Sequence, residues 1–196
     1  MTCIIAAEAN GKVYMGADSV ALDRTYDFDV IEGSKMFRRG EMLIGCAGQP
    51  RQAQIVKHYA HLPSQPSDIN KTLPGYRDRS DDQYLMAFIE NIRTALRDYG
   101  CMEMENGIEA GCNLIIGYHG KVYAVENHFQ IHRSRRGCIA TGVGAPYALA
   151  SLLTSMRPPV SWERVDMTDK ITVALQIASQ LCVAVYAPFQ VEVLEA

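Results

Sequence analysis

The first residues of the chain contain its strongest structural signal, two short apolar runs joined by an Asn-Gly pair. The runs are TCIIAAE at 2–8 and KVYMGAD at 12–18, and Asn10-Gly11 lies between them. Asn and Gly adopt the positive φ angles of a tight hairpin turn at little cost, so this pattern is the strongest short-range signal for a β-hairpin. The chain is therefore predicted to begin with two antiparallel strands, and Thr2 carries a hydroxyl at the start of the first.

Further strand pairs and helices follow this hairpin. The predicted elements, in chain order, are a hairpin at 35–38 and 41–46, a helix from Pro50 to about His61, a helix opened by a Ser80/Gln83 capping box and ended by Gly100, strands in CNLIIGYHG, KVYAVE, FQIHR and GCIAT, a tight turn at Gly142-Val143-Gly144, a helix from Pro146, a buried final helix from about Thr168 to Tyr186, and a last strand in FQVEVL. The polar segment Leu62–Asp82 is long for a loop, which favours a functional or mobile role. Strand pairs and helices in this order predict a layered structure.

Charge and hydropathy exclude several classes of function. The net charge is -3 and the pI is about 5.9, so the chain lacks the basic surface typical of nucleic-acid-binding proteins. The one basic cluster, HRSRR at 132–136, is interpreted as a solvated hairpin turn. No apolar run approaches the roughly 18 residues that would span a membrane, and the N-terminus does not resemble a signal peptide. The sequence therefore predicts a cytoplasmic protein with no membrane partner.

Cysteine and histidine positions give no sign of a metal or a disulfide framework. The six cysteines are scattered, with no C-x-x-C pair, and are interpreted as small buried apolar residues. His119, His128 and His132 are close in sequence, but no acid or cysteine completes a known ligand spacing. We expect no metal and no cofactor.

Six short motifs are spread over nearly the whole chain. They are TCI at 2–4, NGKVYMGADS at 10–19, Lys35 in KMFRR, LIGCAG at 43–48, ATGVGAPYALA at 140–150 and ALQIASQLCV at 174–183. In this order they resemble the proteasome β-subunit and HslV-like family of N-terminal nucleophile hydrolases. The resemblance implies an α+β fold, a four-layer α/β/β/α sandwich, formed as a single domain by residues 1–196.

The candidate catalytic residues can be argued from chemistry as well. Removal of Met1 would give Thr2 an N-terminal α-amine with a reference pKa of about 7.7–8.0, so that one residue would carry both nucleophile and base. A nearby ammonium group, for which Lys35 is the candidate, would lower the pKa of the amine by like-charge repulsion. Asp18 could hold Lys35, and the amide of Gly48 could stabilise an oxyanion. The resemblance assigns the same roles to these four positions.

Each of these residues also has a purely structural interpretation. Thr2 could begin a strand, Asp18 and Gly48 could belong to turns, and Lys35 could lie at the surface. Their combination at the family's spacings favours a catalytic site. Cys3, which would have no terminal amine, is interpreted as a buried strand residue.

Two positions depart from the family pattern. Family members usually have a serine between the two glycines of the turn, where it assists proton transfer at the threonine amine, and this chain has Val143. Many members have an acid at the position of Gln180, which keeps hydrogen bonding but loses the charge. These departures predict low activity.

The resemblance implies a threonine-type endopeptidase that cleaves proteins or peptides. It further implies a homo-oligomeric ring of six or seven subunits, single or doubled, that receives substrates from a hexameric ATP-driven unfoldase. Two alternatives stay open: a catalytically weak or inactive proteasome-like scaffold, and a small-amide hydrolase. Retention of Met1 would remove the base and favour the scaffold.

Overall fold

The computed structural model describes residues 2–22, 28–30, 33–64, 80–157 and 165–195. Met1 and most of the Leu62–Asp82 segment lie outside the described residues.

The described elements follow the predicted order and include two short strand pairs that were not predicted. The strands are β1 (Cys3–Ala9), β2 (Lys12–Ala17), β3 (Val20–Leu22), β4 (Phe28–Val30), β5 (Met36–Arg39), β6 (Met42–Ala47), β7 (Glu103–Glu105), β8 (Ile108–Ala110), β9 (Asn113–Tyr118), β10 (Lys121–Val125), β11 (Ile131–His132), β12 (Cys138–Gly142) and β13 (Gln190–Leu194). The helices are α1 (Pro50–His58), α2 (Asp81–Asp98), α3 (Ala145–Ser155) and α4 (Met167–Leu181).

Two larger sheets form the centre of the molecule. The first has the strand order β12-β1-β2-β13, and the second has the order β11-β10-β9-β6-β5. All of their strand pairs are antiparallel. The strand pairs β3–β4 and β7–β8 form separate two-stranded sheets.

The alternation of side chains along β1 explains how the layers are held together. Ile4 and Ala6 lie in a buried cluster between the two sheets, which also contains Leu43 of β6. Cys3 and Ile5 point to the opposite face, where they pack with buried residues of α3 and α4. Successive residues of a strand face opposite sides of a sheet, so both faces of this strand are buried.

A third buried cluster lies between the second sheet and helices α1 and α2. It joins Phe37 and Ile44 of the sheet to Ile55 of α1 and to Phe88 and Ile92 of α2. With α3 and α4 on the far side of the first sheet, the layers run helices, sheet, sheet, helices. The predicted four-layer α/β/β/α sandwich is therefore confirmed.

The first hairpin has the predicted turn. Asn10 and Gly11 have φ angles of 52° and 74°, and Ala9 pairs with Lys12. Two consecutive positive φ angles match the right-handed twist of the flanking strands. The register that this turn sets places Ile4 opposite Ala17.

The final helix is shorter and less buried than predicted. It ends at Leu181, not Tyr186, and the backbone of Cys182 is extended. Beyond the helix, the Tyr186 carbonyl accepts a hydrogen bond from the Ser19 amide at 3.3 Å. One face of α4 is buried, whereas Gln176, Gln180 and Leu181 are exposed. The expectation that α4 lies buried between other elements is therefore wrong for its outer face.

Two smaller predictions also need correction. Helix α1 ends at His58 and not at His61. The 132–136 cluster does not form a hairpin turn, because β11 and β12, on either side of it, belong to different sheets. Arg133 of this cluster pairs with Glu8 of β1 at 3.1 Å, which ties the connection to the first sheet.

Candidate functional site

The hairpin register brings Asp18 to the start of β1. Beyond the Ile4–Ala17 pair, the Asp18 amide donates to the Cys3 carbonyl at 3.2 Å, and the Cys3 amide donates to Asp18 Oδ1 at 2.8 Å. The carboxylate is therefore bonded to the residue directly after Thr2. Thr2 itself is buried, with 6% of its surface exposed.

Lys35 reaches the same carboxylate from the second sheet. Its Nζ lies 2.9 Å from Asp18 Oδ1 and 3.0 Å from Oδ2. The Lys35 carbonyl accepts a hydrogen bond from the Cys46 amide at 3.1 Å, which fixes its backbone at the start of β5. Asp18 Oδ2 also accepts from the Val20 amide at 3.3 Å. The predicted pairing of Lys35 with Asp18 is present in the structure.

Burial dominates the electrostatics of this ion pair. The exposed fraction is 9% for the Lys35 side chain and zero for that of Asp18. Burial lowers the pKa of Lys35 from 10.5, and the charge of Asp18 and its hydrogen bonds oppose that shift. Burial also raises the pKa of the neighbouring Cys3 thiol to about 12. A thiol with so high a pKa is a poor nucleophile at neutral pH, in agreement with the structural interpretation of Cys3.

The glycine turn after β12 lies against the backbone of Thr2. Gly142 has a φ of +91°, and a Cβ atom there would lie 2.0 Å from the Thr2 carbonyl oxygen. A Cβ on Gly144 would lie 2.8 Å from Cys3 Cβ. Only glycine allows this close approach at both positions. Val143, between them, is 48% exposed, and the Cys3–Gly142 register places it beside Thr2.

Gly48 follows the last residue of β6 and precedes Gln49, the N-cap residue of α1. A Cβ at Gly48 would lie 2.7 Å from Cys112 Cβ and 3.0 Å from Cys112 Cα. A larger residue would therefore push the end of β6 away from the chain at Cys112. That packing explains the glycine. The role of its amide as an oxyanion donor stays a prediction.

Gln180 lies in the last turn of α4, and its side chain is exposed. The contacts described above join Thr2, Asp18, Lys35 and the glycine turn in one cluster, whereas Gly48 and Gln180 lie at the ends of β6 and α4. The supporting role predicted for Gln180 also stays a prediction.

Sequence reasoning assigned no role to Ser19, which connects this cluster to the end of the chain. Ser19 is buried, and its Oγ donates to the Pro188 carbonyl at 2.5 Å while its amide bonds to Tyr186. The segment after α4 is thereby fastened beside Asp18. The position of Ser19 directly after the candidate acid was the available signal.

Each of the three histidines noted in the sequence lies close to a different acidic side chain. His119 is 3.0 Å from Asp81, His128 is 3.5 Å from Glu105 and His132 is 3.8 Å from Glu126. No group of three or more possible metal ligands gathers within the described part of the chain.

None of the six cysteines, all of which the structure describes, forms a disulfide. Four of them are buried, as predicted, and the other two, Cys101 and Cys182, are partly exposed. Among the described helices, none is both long and apolar enough to cross a membrane.

Comparison with known proteins gives matches in structure alone. No protein-family model matches the sequence, and no curated protein matches it either. Among solved structures, Thiobacillus denitrificans BPH in complex with epoxomicin superposes with a TM-score of 0.78 at 16% identity, covering 99% of this chain and 98% of that one. HslV from Trypanosoma brucei superposes with a TM-score of 0.70 at 18% identity, and both chains are covered completely.

A third solved structure extends the comparison. Anbu (ancestral beta-subunit) from Yersinia bercovieri has a TM-score of 0.65 at 11% identity and covers 98% of this chain and 81% of that one. At such identities the likeness establishes the fold and not the activity. The chain shares the four-layer α/β/β/α sandwich fold of these three structures.

Proposed function

We propose that this chain is a threonine-type endopeptidase subunit in which Thr2 is the nucleophile after removal of Met1. One observation carries the proposal. The buried Asp18–Lys35 ion pair is hydrogen-bonded, through Asp18 Oδ1, to the amide of Cys3, the residue that follows Thr2. Burial of a charged pair costs desolvation free energy, so a buried ion pair often contributes little to the stability of the fold. Its hydrogen bond to the residue that follows Thr2 therefore favours a catalytic role.

In the proposed reaction, Thr2 Oγ1 attacks the carbonyl carbon of the scissile peptide bond while the α-amine of Thr2 accepts the hydroxyl proton. The Gly48 amide donates to the oxygen of the tetrahedral intermediate. The intermediate collapses to an ester on Thr2, and the leaving amine takes the proton from the α-ammonium group. Water then attacks the ester, with the same amine as base, and the product acid leaves with Thr2 regenerated.

Lys35 acts on this reaction through its charge. An ammonium group near the α-amine disfavours protonation of the amine and keeps more of it in the basic form. Burial works against the charge of Lys35, and Asp18 supports it. The two carboxylate contacts therefore favour the charged form of Lys35, which is the form that the mechanism needs.

Val143 predicts a slow enzyme. A valine has no donor or acceptor, so proton transfer at the α-amine would rely on water or on the Lys35 side of the site. General acid–base assistance is typically worth about 10²–10⁴-fold, so the loss of one assisting hydroxyl has a measurable effect.

We further propose that the protein works as a ring of six or seven subunits, single or doubled, that takes substrates from a hexameric ATPase unfoldase. An unenclosed peptidase site would cleave proteins at random, and a head-to-tail interface closes naturally into a ring. Exposed apolar side chains near the glycine turn and the end of α4 provide surface for a neighbour: Val143, Tyr147, Leu181, Val183 and Tyr186. Light scattering at micromolar concentration tests this, and a monomer would contradict it.

The second candidate is a proteasome-like scaffold without peptidase activity. Two observations favour it: Val143 replaces the assisting hydroxyl, and Gln180 replaces an acid on the exposed face of α4. In this case Met1 would be retained and the surfaces would carry the function.

Intact mass of the protein purified from its native source separates the two candidates. The peptidase requires a mature N-terminal Thr2, and retained Met1 would eliminate it. Incubation with epoxomicin, the compound bound in the Thiobacillus denitrificans structure, then tests the nucleophile. We expect an adduct mass on the mature wild type and none on Thr2→Ala. A mature chain that forms no adduct and cleaves no fluorogenic peptide would favour the scaffold.

A further inference from the structure

The β7–β8 hairpin contacts the turn that contains Gly48. Its first residue, Glu103, is exposed, and its Oε1 atom accepts a hydrogen bond from Gln49 Nε2 at 2.6 Å and another from Gln52 Nε2 at 3.1 Å. A single carboxylate oxygen therefore holds the residue next to Gly48 and a second residue one helical turn further on.

Gln52 is the inner part of this contact. It is 1% exposed, and its amide group also donates to the Cys101 carbonyl at 3.1 Å. Both of its amide hydrogens thus have acceptors outside α1, one of them on Glu103. A buried amide group is destabilised when it loses an acceptor, so the Gln52 side chain would reorient if Glu103 were removed.

A change in the orientation of the Gln52 side chain would alter the packing of Gly48. A Cβ on Gly48 would lie 3.5 Å from Gln52 Oε1 and 2.7 Å from Cys112 Cβ. The glycine therefore lies close to both the Gln52 side-chain amide and Cys112. Any shift of the Gln52 amide therefore changes the packing around the Gly48 peptide.

Helix α1 has no cap of its own at this end. Its N-cap residue, Gln49, makes no capping hydrogen bond from its side chain, and the first turn contains no acid. A carboxylate near a helix N-terminus is favourable because the first amides carry partial positive charge. Glu103 supplies that carboxylate from a different part of the chain.

We propose that Glu103 is a positioning residue for the peptidase: through Gln49 and Gln52 it holds the Gly48 turn in the orientation that lets the Gly48 amide stabilise the oxyanion. This inference rests on the proposed function. It adds a residue that touches no reacting atom and that lies on a hairpin outside the two central sheets.

The test compares three single variants. Glu103→Ala removes the acceptor, and Glu103→Gln keeps one side-chain oxygen, which has two lone pairs and can accept both hydrogen bonds. Glu105→Ala is the matched control, because Glu105 lies on the same hairpin with the same charge and bonds to Asn127 at 2.8 Å. Two quantities are measured: hydrogen exchange of a peptide covering residues 46–55, and kcat and KM on a fluorogenic peptide.

We expect faster exchange in 46–55 for Glu103→Ala alone. We expect its kcat to fall about tenfold, with KM within about twofold, since misplacing a catalytic group costs less than removing it. Glu103→Gln should stay within about threefold of wild type, and Glu105→Ala should match wild type.

The other outcomes overturn the inference in distinguishable ways. Unchanged exchange in Glu103→Ala shows that the hairpin does not hold the turn. Faster exchange with unchanged kcat shows that the turn is held but has no role in positioning. A mature wild type without any turnover refutes the peptidase, and the positioning role with it, while the exchange data still decide whether Glu103 holds the turn.

Discussion

Two groups of charged side chains have similar N–O distances but differ in their exposure to solvent. At the start of β1, Lys35 lies 2.9 Å from Asp18, and the exposed fractions of these side chains are 9% and zero. At the β7–β8 hairpin, Glu109 lies 2.7 Å from Arg93 and 2.5 Å from Arg97, with exposed fractions of 24%, 29% and 46%. The N–O distances are therefore comparable, whereas the exposure of the side chains to solvent differs.

The electrostatic consequences differ accordingly. Burial, the largest influence on Lys35, lowers its pKa, so its environment works against its charge. Hydrogen bonds from Arg97 and Arg93 hold the pKa of Glu109 down at about 2, so its environment favours its charge. The Glu109 group, which is partly exposed, fastens a hairpin to helix α2 at a smaller desolvation cost. The buried pair has a desolvation cost that stability alone does not explain, and its position beside Thr2 gives a reason to keep it.

The largest predicted effect tests whether the buried pair serves Thr2. Thr2→Ala should abolish peptide hydrolysis and leave folding intact, because it removes the attacking oxygen and keeps the strand. Thr2→Ser should retain part of the activity, since hydroxyl and amine both persist. Hydrolysis rates and circular dichroism of the two variants check this. Full activity in Thr2→Ala would show that Thr2 is not the nucleophile. The position of the ion pair beside Thr2 would then not indicate a catalytic role.

The next effect compares the two groups directly. Lys35→Ala should lower turnover by orders of magnitude, because the charge that tunes the amine is gone. It should also destabilise the protein by about 3–5 kcal/mol, because the Asp18 charge stays buried without its partner. The matched variant Arg97→Ala should cost far less stability, because exposed ion pairs contribute little, and should leave turnover unchanged.

Urea unfolding and peptide hydrolysis measure both variants. Adding Asp18→Asn to Lys35→Ala should recover much of the stability and none of the activity, since it removes the uncompensated charge. Equal losses of stability in Lys35→Ala and Arg97→Ala would show that burial does not distinguish the two groups.

A smaller effect concerns Val143, the apolar residue that the strand register places beside Thr2. Val143→Ser should raise peptide hydrolysis by at least about tenfold, the lower part of what acid–base assistance can give. Because Val143 is 48% exposed, we expect a stability change within about 0.5 kcal/mol. The double variant Val143→Ser/Thr2→Ala is the control and should show no gain. An unchanged rate in a mature, folded ring would favour the scaffold.

The fold was predictable where one signal dominated. Asn10-Gly11 lies between apolar runs, and the hairpin followed. Asn106-Gly107, with φ angles of 52° and 80°, forms the same kind of turn in the β7–β8 hairpin, which sequence reasoning missed. Its flanking strands are three residues each and rich in glutamate, so no apolar alternation marked them. The end of α4 was missed because the apolar pattern continues beyond it, whereas the segment after Leu181 makes hydrogen bonds with Ser19 through Tyr186 and Pro188.

The site was predictable in part. The bond between Asp18 and Cys3 follows from the register of the first hairpin. The contact of Lys35 with Asp18 joins two sheets, so strand register could not predict it, and it was predicted from the chemistry of the site together with the family resemblance. Glu103 was out of reach, because its contact with Gln52 spans 51 residues of sequence and depends on a hairpin that the sequence did not reveal.

The smallest effect is expected at the exposed group, and it depends on pH. The pKa of Glu109 is lowered from 4.5 to about 2 in the folded chain, first by Arg97 and then by Arg93. A carboxyl group whose pKa is lower in the folded state stabilises that state at pH values above the unfolded pKa, and the stabilisation is lost as the pH falls through the folded pKa. Glu109→Gln should therefore lower Tm slightly at pH 7, and the difference from wild type should shrink between about pH 4.5 and pH 2. Salt should also reduce it, because the Debye length is about 3 Å at 1 M and the group is exposed. Differential scanning fluorimetry over this pH range, with and without salt, measures both. A difference that persists at pH 2 would mean that Glu109 acts through packing, and the contrast with the buried Asp18–Lys35 pair would then not be one of charge.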